Sequence, residues 1–199
     1  TQYSILDGAA VIKHLIEKAR RDNMEALAIT DHGNMFGAKE FHNEAKKQGI
    51  KPILGCEVYV ASRSRHEKSD KQDGGGFHLV LLAKNKKGYK NLIKLVSYGW
   101  TEGFYYRPRV DRELLKKYNE GLMASSACLH GEIPWLLRHE GIEAARKALT
   151  GYSEIFGGDF YLELQRHPSG DPQIDREVYE NQVFVNNQLL SLAAETGIK

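Results

Sequence analysis

Asp31 and His32 follow the short apolar run Ala26-Leu27-Ala28-Ile29, and Gly33-Asn34 lead into an amphipathic stretch beginning at Met35. In α/β folds, sites are built where strands end. A strand that closes on an aspartate and a histidine is therefore a place to look for chemistry. The placement recurs. Glu57 stands inside the apolar strand pattern Ile53 to Val60, His78 begins the apolar run Phe77 to Ala83, and Cys128 follows the small-residue strand pattern Leu122 to Ser126. Asp7 lies ahead of the first helical face, in Tyr3-Ser4-Ile5-Leu6-Asp7-Gly8. His, Glu, Asp and Cys are the donor set of transition-metal sites. Because they are scattered along the chain, they suit a centre to which each strand gives one ligand. Two or three divalent ions held there would activate a water and neutralise a phosphate in transition.

Each residue also has a reading with no chemistry in it. Asp7 closes the pattern Ser4-x-x-Asp7, a capping box that serves a helix start. His32 could donate a hydrogen bond within a turn, and Asp31 is either an ordinary turn acid or a group that orients a metal ligand. Glu57 needs a partner, since an unpaired carboxylate in an apolar strand is costly; a metal or an arginine would serve. Cys56, on the opposite face of the strand from Glu57, reads as core. His78 alone reads as a hydrogen-bonded structural histidine, and Cys128 as a small buried residue. His130 and His167 fall near strand ends without a pattern that assigns them a role.

These residues must be carried by a definite frame. Ile12, Leu15, Ile16 and Ala19 give a helical face, as do Ala38, Phe41 and Ala45, with Asn34 as the expected N-cap. Strands are expected at residues 53–60, 77–83, 122–126 and 160–164. Further helices are expected around Leu92, Ile93, Leu95 and Val96, around Ile142, Ala145, Leu149 and Tyr152, and from about Ile174 to Glu195. Helices alternating with near-continuous apolar strands imply an α/β fold with parallel strands. No composition break divides residues 1–199, so one domain is expected, with a solvated, mobile loop at about 62–76. Its basic residues Arg63, Arg65, Lys68 and Lys71 alternate with acids, which favours solvation over contact with a phosphate backbone.

Composition narrows the class. The chain has 199 residues, 41% hydrophobic and 27% charged, and a net charge of +2. These values describe a globular domain without the bulk charge signature of a nucleic-acid binder. No apolar run approaches the ~18 residues of a membrane span. Two cysteines make a disulfide framework improbable and point to a reducing, cytoplasmic setting. Thr196-Gly197-Ile198-Lys199 repeats the helix-stop, strand-start pattern of Gln48-Gly49-Ile50-Lys51. A further strand is therefore expected after it, and with no initiating Met the sequence reads as a piece of a larger protein.

The blocks Thr1 to Ala9, Ile29 to Gly37, Pro52 to Val60, His78 to Ala83, Gly103 to Arg109 and Ser126 to Ile133 together resemble the PHP (polymerase and histidinol phosphatase) domain family. The version they resemble is that of bacterial DNA polymerase III α subunits. The resemblance implies an α/β fold, a distorted (β/α)7 TIM-like barrel that is incomplete in this chain, with a metal site at the strand ends. It implies Asp7, His32, Glu57, His78 and Cys128 as ligands of up to three divalent ions (Zn, Mn or Mg), with Glu57 bridging and Asp31 in support. Arg107 and Arg109 are the expected contacts to nucleic acid. The implied activity is a phosphoesterase, acting as a metal-dependent 3′–5′ exonuclease on a DNA 3′ end within a DNA-directed DNA polymerase. The family's His-x-His and Asp-x-His pairs lie outside the sequence, so this chain alone is expected to be inactive and to hold metal poorly. The alternative is a structural module that stabilises the polymerase or docks a separate proofreading exonuclease, alongside other replicase subunits and with no membrane partner.

Overall fold

The computed structural model describes residues 1–69 and 74–199, so residues 70–73 of the expected 62–76 loop lie outside the described residues. The chain divides into two compact units, Thr1–Gly76 with Val80–Met123, and Phe77–Leu79 with Ala124–Lys199.

The first unit opens with α1 (Ile12–Arg21), β1 (Ala26–Ile29), α2 (Ala38–Lys47) and β2 (Lys51–Val60). β1 and β2 are parallel, in register from Ala26 opposite Lys51 to Ile29 opposite Leu54. Ile12, Ile16 and Ala19 of α1, Phe41 and Ala45 of α2, and Ile29 and Ile50 form one buried cluster. The helical spacing of these apolar residues is what turns both helices onto the β1–β2 ladder. Further along are α3 (Lys86–Thr101), β4 (Phe104–Tyr105), β5 (Arg107–Val110) and α4 (Arg112–Tyr118). β5 joins the end of β2 in parallel, Tyr59 opposite Arg109, and β4 folds back on β5 antiparallel. β3 (Phe77–Ala83) and β6 (Leu122–Ser125) give residues to both units.

The second unit continues with α5 (Glu132–His139), α6 (Ile142–Phe156), β7 (Phe160–Tyr161), α7 (Pro172–Glu177) and α8 (Tyr179–Thr196). β6 and β7 pair in parallel, Ala124 opposite Phe160. Tyr152 of α6 stacks on Phe160 with ring centroids 5.2 Å apart. Helices alternating with mostly parallel strands make the fold mixed α/β. No helix among the described residues is long and apolar enough to cross a membrane.

Three local expectations change. Asn34 does not cap α2, which starts at Ala38 after Gly37. The buried Asn34 instead accepts from the Phe36 amide and donates to the carbonyls of Tyr3 and His32, fixing the turn itself. β7 covers Phe160–Tyr161 rather than reaching residue 164; past it, the Leu162 amide bonds the Lys199 carbonyl and the Glu163 amide bonds Ser126 Oγ. The long C-terminal helix is broken at Val178 (φ −112°, ψ −63°), and its first turn is set by Asp171, which caps Gln173 and Ile174 ahead of Pro172.

Candidate metal centre

In the first unit, the parallel register carries past the ends of the strands. Beyond Ile29, a further bridge joins His32 to Glu57. The Gly33 amide donates to the Glu57 carbonyl and the Glu57 amide to the Asp31 carbonyl. His32 Nδ1 thereby lies 2.8 Å from Glu57 Oε1, and Nε2 lies 3.8 Å from Asp7 Oδ2. The two carboxylates address opposite nitrogens of one imidazole. An ion on either nitrogen finds a carboxylate beside it, and the other carboxylate fixes the ring and its tautomer. Asp7 is not a helix cap: α1 begins at Ile12 with no side-chain cap, and the Asp7 side chain is 64% exposed to solvent.

Asp31 takes no part in that cluster through its side chain. The carboxylate is buried and accepts from Ser4 Oγ at 2.6 Å and from Thr1 Oγ1 at 2.8 Å. Burial opposes its ionisation, and the hydrogen bonds from the hydroxyls of Ser4 and Thr1 work against that effect. Ser4 Oγ in turn accepts from the His32 amide at 3.1 Å. Asp31 thus ties the loop carrying Asp7 to the strand end carrying His32, which makes it a positioning residue. Cys56 is fully buried, its thiol donating to the Asp31 carbonyl, and burial pushes its pKa far up.

In the second unit, Cys128 Sγ lies 3.4 Å from His78 Nδ1 and 3.9 Å from His130 Nδ1. Burial would raise the Cys128 thiol, but hydrogen bonds with His130 and His78 outweigh it and bring the pKa down to about 6. A thiolate beside two imidazoles is a ligand set for a borderline-soft ion such as zinc. Ligands at about 2.3 Å (sulfur) and about 2.0 Å (nitrogen) on a tetrahedral ion stand about 3.5 Å apart. The observed distances bracket that value, so the residues present fit a metal. His130 was not distinguishable in the sequence, because its role depends on a turn that only the fold creates.

The two arginines expected to contact nucleic acid part company. Arg109 is fully buried, and its guanidinium donates to the carbonyls of Gly103, Arg65 and Glu67. It holds loops together and is out of reach of a phosphate, which corrects the expectation. Arg107 is exposed, lies over the Tyr59 ring, and lines a cleft of about 200 Å³ together with Asp7, His32, Phe36, Trp100 and Tyr106. Arg65 was expected to be solvated. It is buried instead, paired with Asp111 at 2.9 Å and Glu102 at 2.8 Å.

A family model described as the PHP domain matches residues 1–167. The DNA polymerase III subunit alpha of Borreliella burgdorferi is 49% identical over 100% of this chain, and that of Helicobacter pylori 42% over 100%. The Thermus aquaticus subunit is 46% identical over 84% of this chain. The chain spans only 16%, 16% and 14% of these relatives' lengths. With that model matching most of its length, the chain belongs to the PHP domain family.

Proposed function

We propose that this chain is the PHP domain of a bacterial DNA polymerase III α subunit, and that its metal centre is a phosphoesterase acting as a 3′–5′ exonuclease on a DNA 3′ end. The observation that carries this is the 49% identity over the whole chain to such a subunit, joined to a competent donor at each inspected ligand position. Divalent ions, up to three and of the zinc, manganese or magnesium class, would supply an activated water and neutralise the phosphodiester. The chain's own residues do the rest. Glu57 and Asp7 hold His32 between them. Asp31 and Ser4 hold the Asp7 loop against the strand end. Arg107 offers a cation, and Phe36, Trp100 and Tyr106 offer ring faces, beside Asp7 and His32. That combination suits a phosphate with an attached base. The setting is the bacterial cytoplasm, and the activity belongs to the parent polymerase.

The test is manganese- or zinc-dependent release of nucleotides from a DNA 3′ end by the parent subunit. Release that is lost in His32→Ala and Cys128→Ser, with polymerisation kept, supports the proposal. A second reading is a structural module that stabilises the polymerase or docks a separate proofreading exonuclease. It is favoured by Ile5, Leu6, Phe36 and Tyr106, all between 68% and 101% exposed. No release from the native subunit, with loss of polymerase stability on deleting the domain, would decide for that reading.

A further inference from the structure

The turn from Ser126 to Gly131 is built to bring donors together. Ala127 adopts a left-handed conformation (φ +56°), uncommon for a residue with a side chain and a sign of local strain. The Gly131 amide closes the turn on the Cys128 carbonyl at 2.8 Å. Gly131 is required by space: a Cβ there would stand 2.0 Å from the Ser126 carbonyl oxygen. The turn is fastened to the start of β3, where the His78 amide donates to the His130 carbonyl at 3.0 Å and His78 bridges Gly131. The backbone therefore holds His78 and His130 side by side, with ring centroids 5.4 Å apart, and Cys128 between them. The His130 amide also donates to Cys128 Sγ at 3.4 Å. One donor atom from each of the three residues lies within 4.8 Å of the others.

We infer that His130 is a metal ligand, completing with His78 and Cys128 a one-ion site of the zinc class that lies wholly within the second unit. Two imidazoles and a thiolate supply three of four tetrahedral positions and leave the fourth open, the pattern of an ion that can take a water or a substrate oxygen. His130 is exposed, so it can swing onto an ion without disturbing the core. The inference rests on the metal-centre reading of this unit and not on nuclease activity.

The test uses the full chain carrying Asp7→Asn, His32→Ala and Glu57→Gln, which removes the donors of the first unit, loaded with one equivalent of cobalt or zinc. Cobalt is expected to give a thiolate charge-transfer absorption, and zinc-edge X-ray absorption to count two imidazoles and one sulfur. His130→Ala is expected to lose one imidazole from that count and at least about 10-fold in affinity. His130→Asn keeps a hydrogen-bonding side chain and is expected to restore neither. An unchanged imidazole count in His130→Ala, with circular dichroism showing the fold intact, overturns the assignment of His130 while leaving His78 and Cys128 as ligands. No thiolate–cobalt absorption in the parent chain overturns the assignment together with the metal-centre reading of this unit.

Discussion

His32 and Glu57 are register partners. The ladder that sets Ala26 opposite Lys51 and Ile29 opposite Leu54 meets again, with the same offset, at His32 and Glu57. Their side chains stand 2.8 Å apart because the backbone puts them there. Glu57→Gln should therefore leave the strand pairing alone. Thermal stability is expected to stay within about 0.5 kcal/mol of the native value, the range of a change that breaks no packing. Metal affinity is expected to fall roughly 10–100-fold, as when a carboxylate partner of a metal-binding histidine is lost. Thermal melts and metal titration check the two halves. A variant that melts early but binds metal normally would mean that Glu57 serves the fold.

The ion pair of Arg65 with Asp111 makes a different kind of prediction. Both side chains are almost fully buried, 9% and 5% exposed, and Asp111 also caps α4 through the Leu114 amide. Removing one member strands a charge in a place water hardly reaches. Arg65→Met is expected to cost about 3–5 kcal/mol, measured by urea unfolding. Arg65→Met combined with Asp111→Asn should cost less than Arg65→Met alone, because asparagine still caps and the carboxylates that lose Arg65, Glu102 and Glu113, are reached by water. Equal losses in the single and double variants would remove the pair as the cause.

The same pair fixes the acid limb of stability. Burial alone would raise the Asp111 carboxyl, but the Arg65 and Leu114 amides and the Arg65 guanidinium hold it below the usual range. A depressed folded pKa gives stability that is complete above the unfolded carboxylate value of about 4 and is lost as pH falls through the lower folded value. The native chain should therefore lose stability steeply below about pH 4. Asp111→Asn should lose it less steeply over that window, while being less stable at neutral pH. Urea midpoints measured across the acid range test the slope.

The two cysteines should be chemically opposite. With a pKa of about 6, Cys128 is about nine-tenths thiolate at neutral pH. Cys56 is buried, and burial keeps it protonated. Iodoacetamide at pH 7 is expected to label Cys128 alone, as read by mass spectrometry of the native chain. His78→Ala or His130→Ala should slow the labelling at pH 7 by removing a hydrogen bond that favours the thiolate. Labelling that divides evenly between the cysteines would contradict both environments.

Much of this frame was legible in the sequence because it rests on local period. Ile12, Ile16, Phe41 and Ala45 announce their helices, and the apolar run Phe77 to Ala83 is the strand as observed. The donors at strand ends were legible for the same reason. Arg109 and Arg65 were not, since a basic residue in a loop looks alike whether it meets water, carbonyls 42 and 44 residues away in sequence, as Arg109 does, or a carboxylate 46 residues away, as Arg65 does. Nor was the helix break at Val178, which has neither a proline nor a glycine to mark it. His130 was hidden because the Ser126–Gly131 turn and the start of β3, which give it neighbours, are joined only by tertiary hydrogen bonds.

Gly33 ties the metal corner to the cleft beside it. It holds φ +64°, and a Cβ on it would stand 2.8 Å from Pro108 Cγ and 2.9 Å from Tyr59 Cε2. Its carbonyl accepts from Trp100 Nε1 at 2.8 Å, so the turn after His32 is pinned to α3. Gly33→Ala carries the left-handed penalty of roughly 1–2 kcal/mol, and the contacts with Pro108 and Tyr59 add to it. The strain is released by moving the turn, which carries His32 away from Glu57 and stretches the Trp100 bond. Expected are a stability loss above about 1 kcal/mol, a shift in Trp100 emission with Trp135 replaced by Phe to isolate it, and weaker metal binding in the same variant. Loss of stability with unchanged emission and unchanged metal affinity would separate the turn from the site, and Gly33 would then serve the backbone alone.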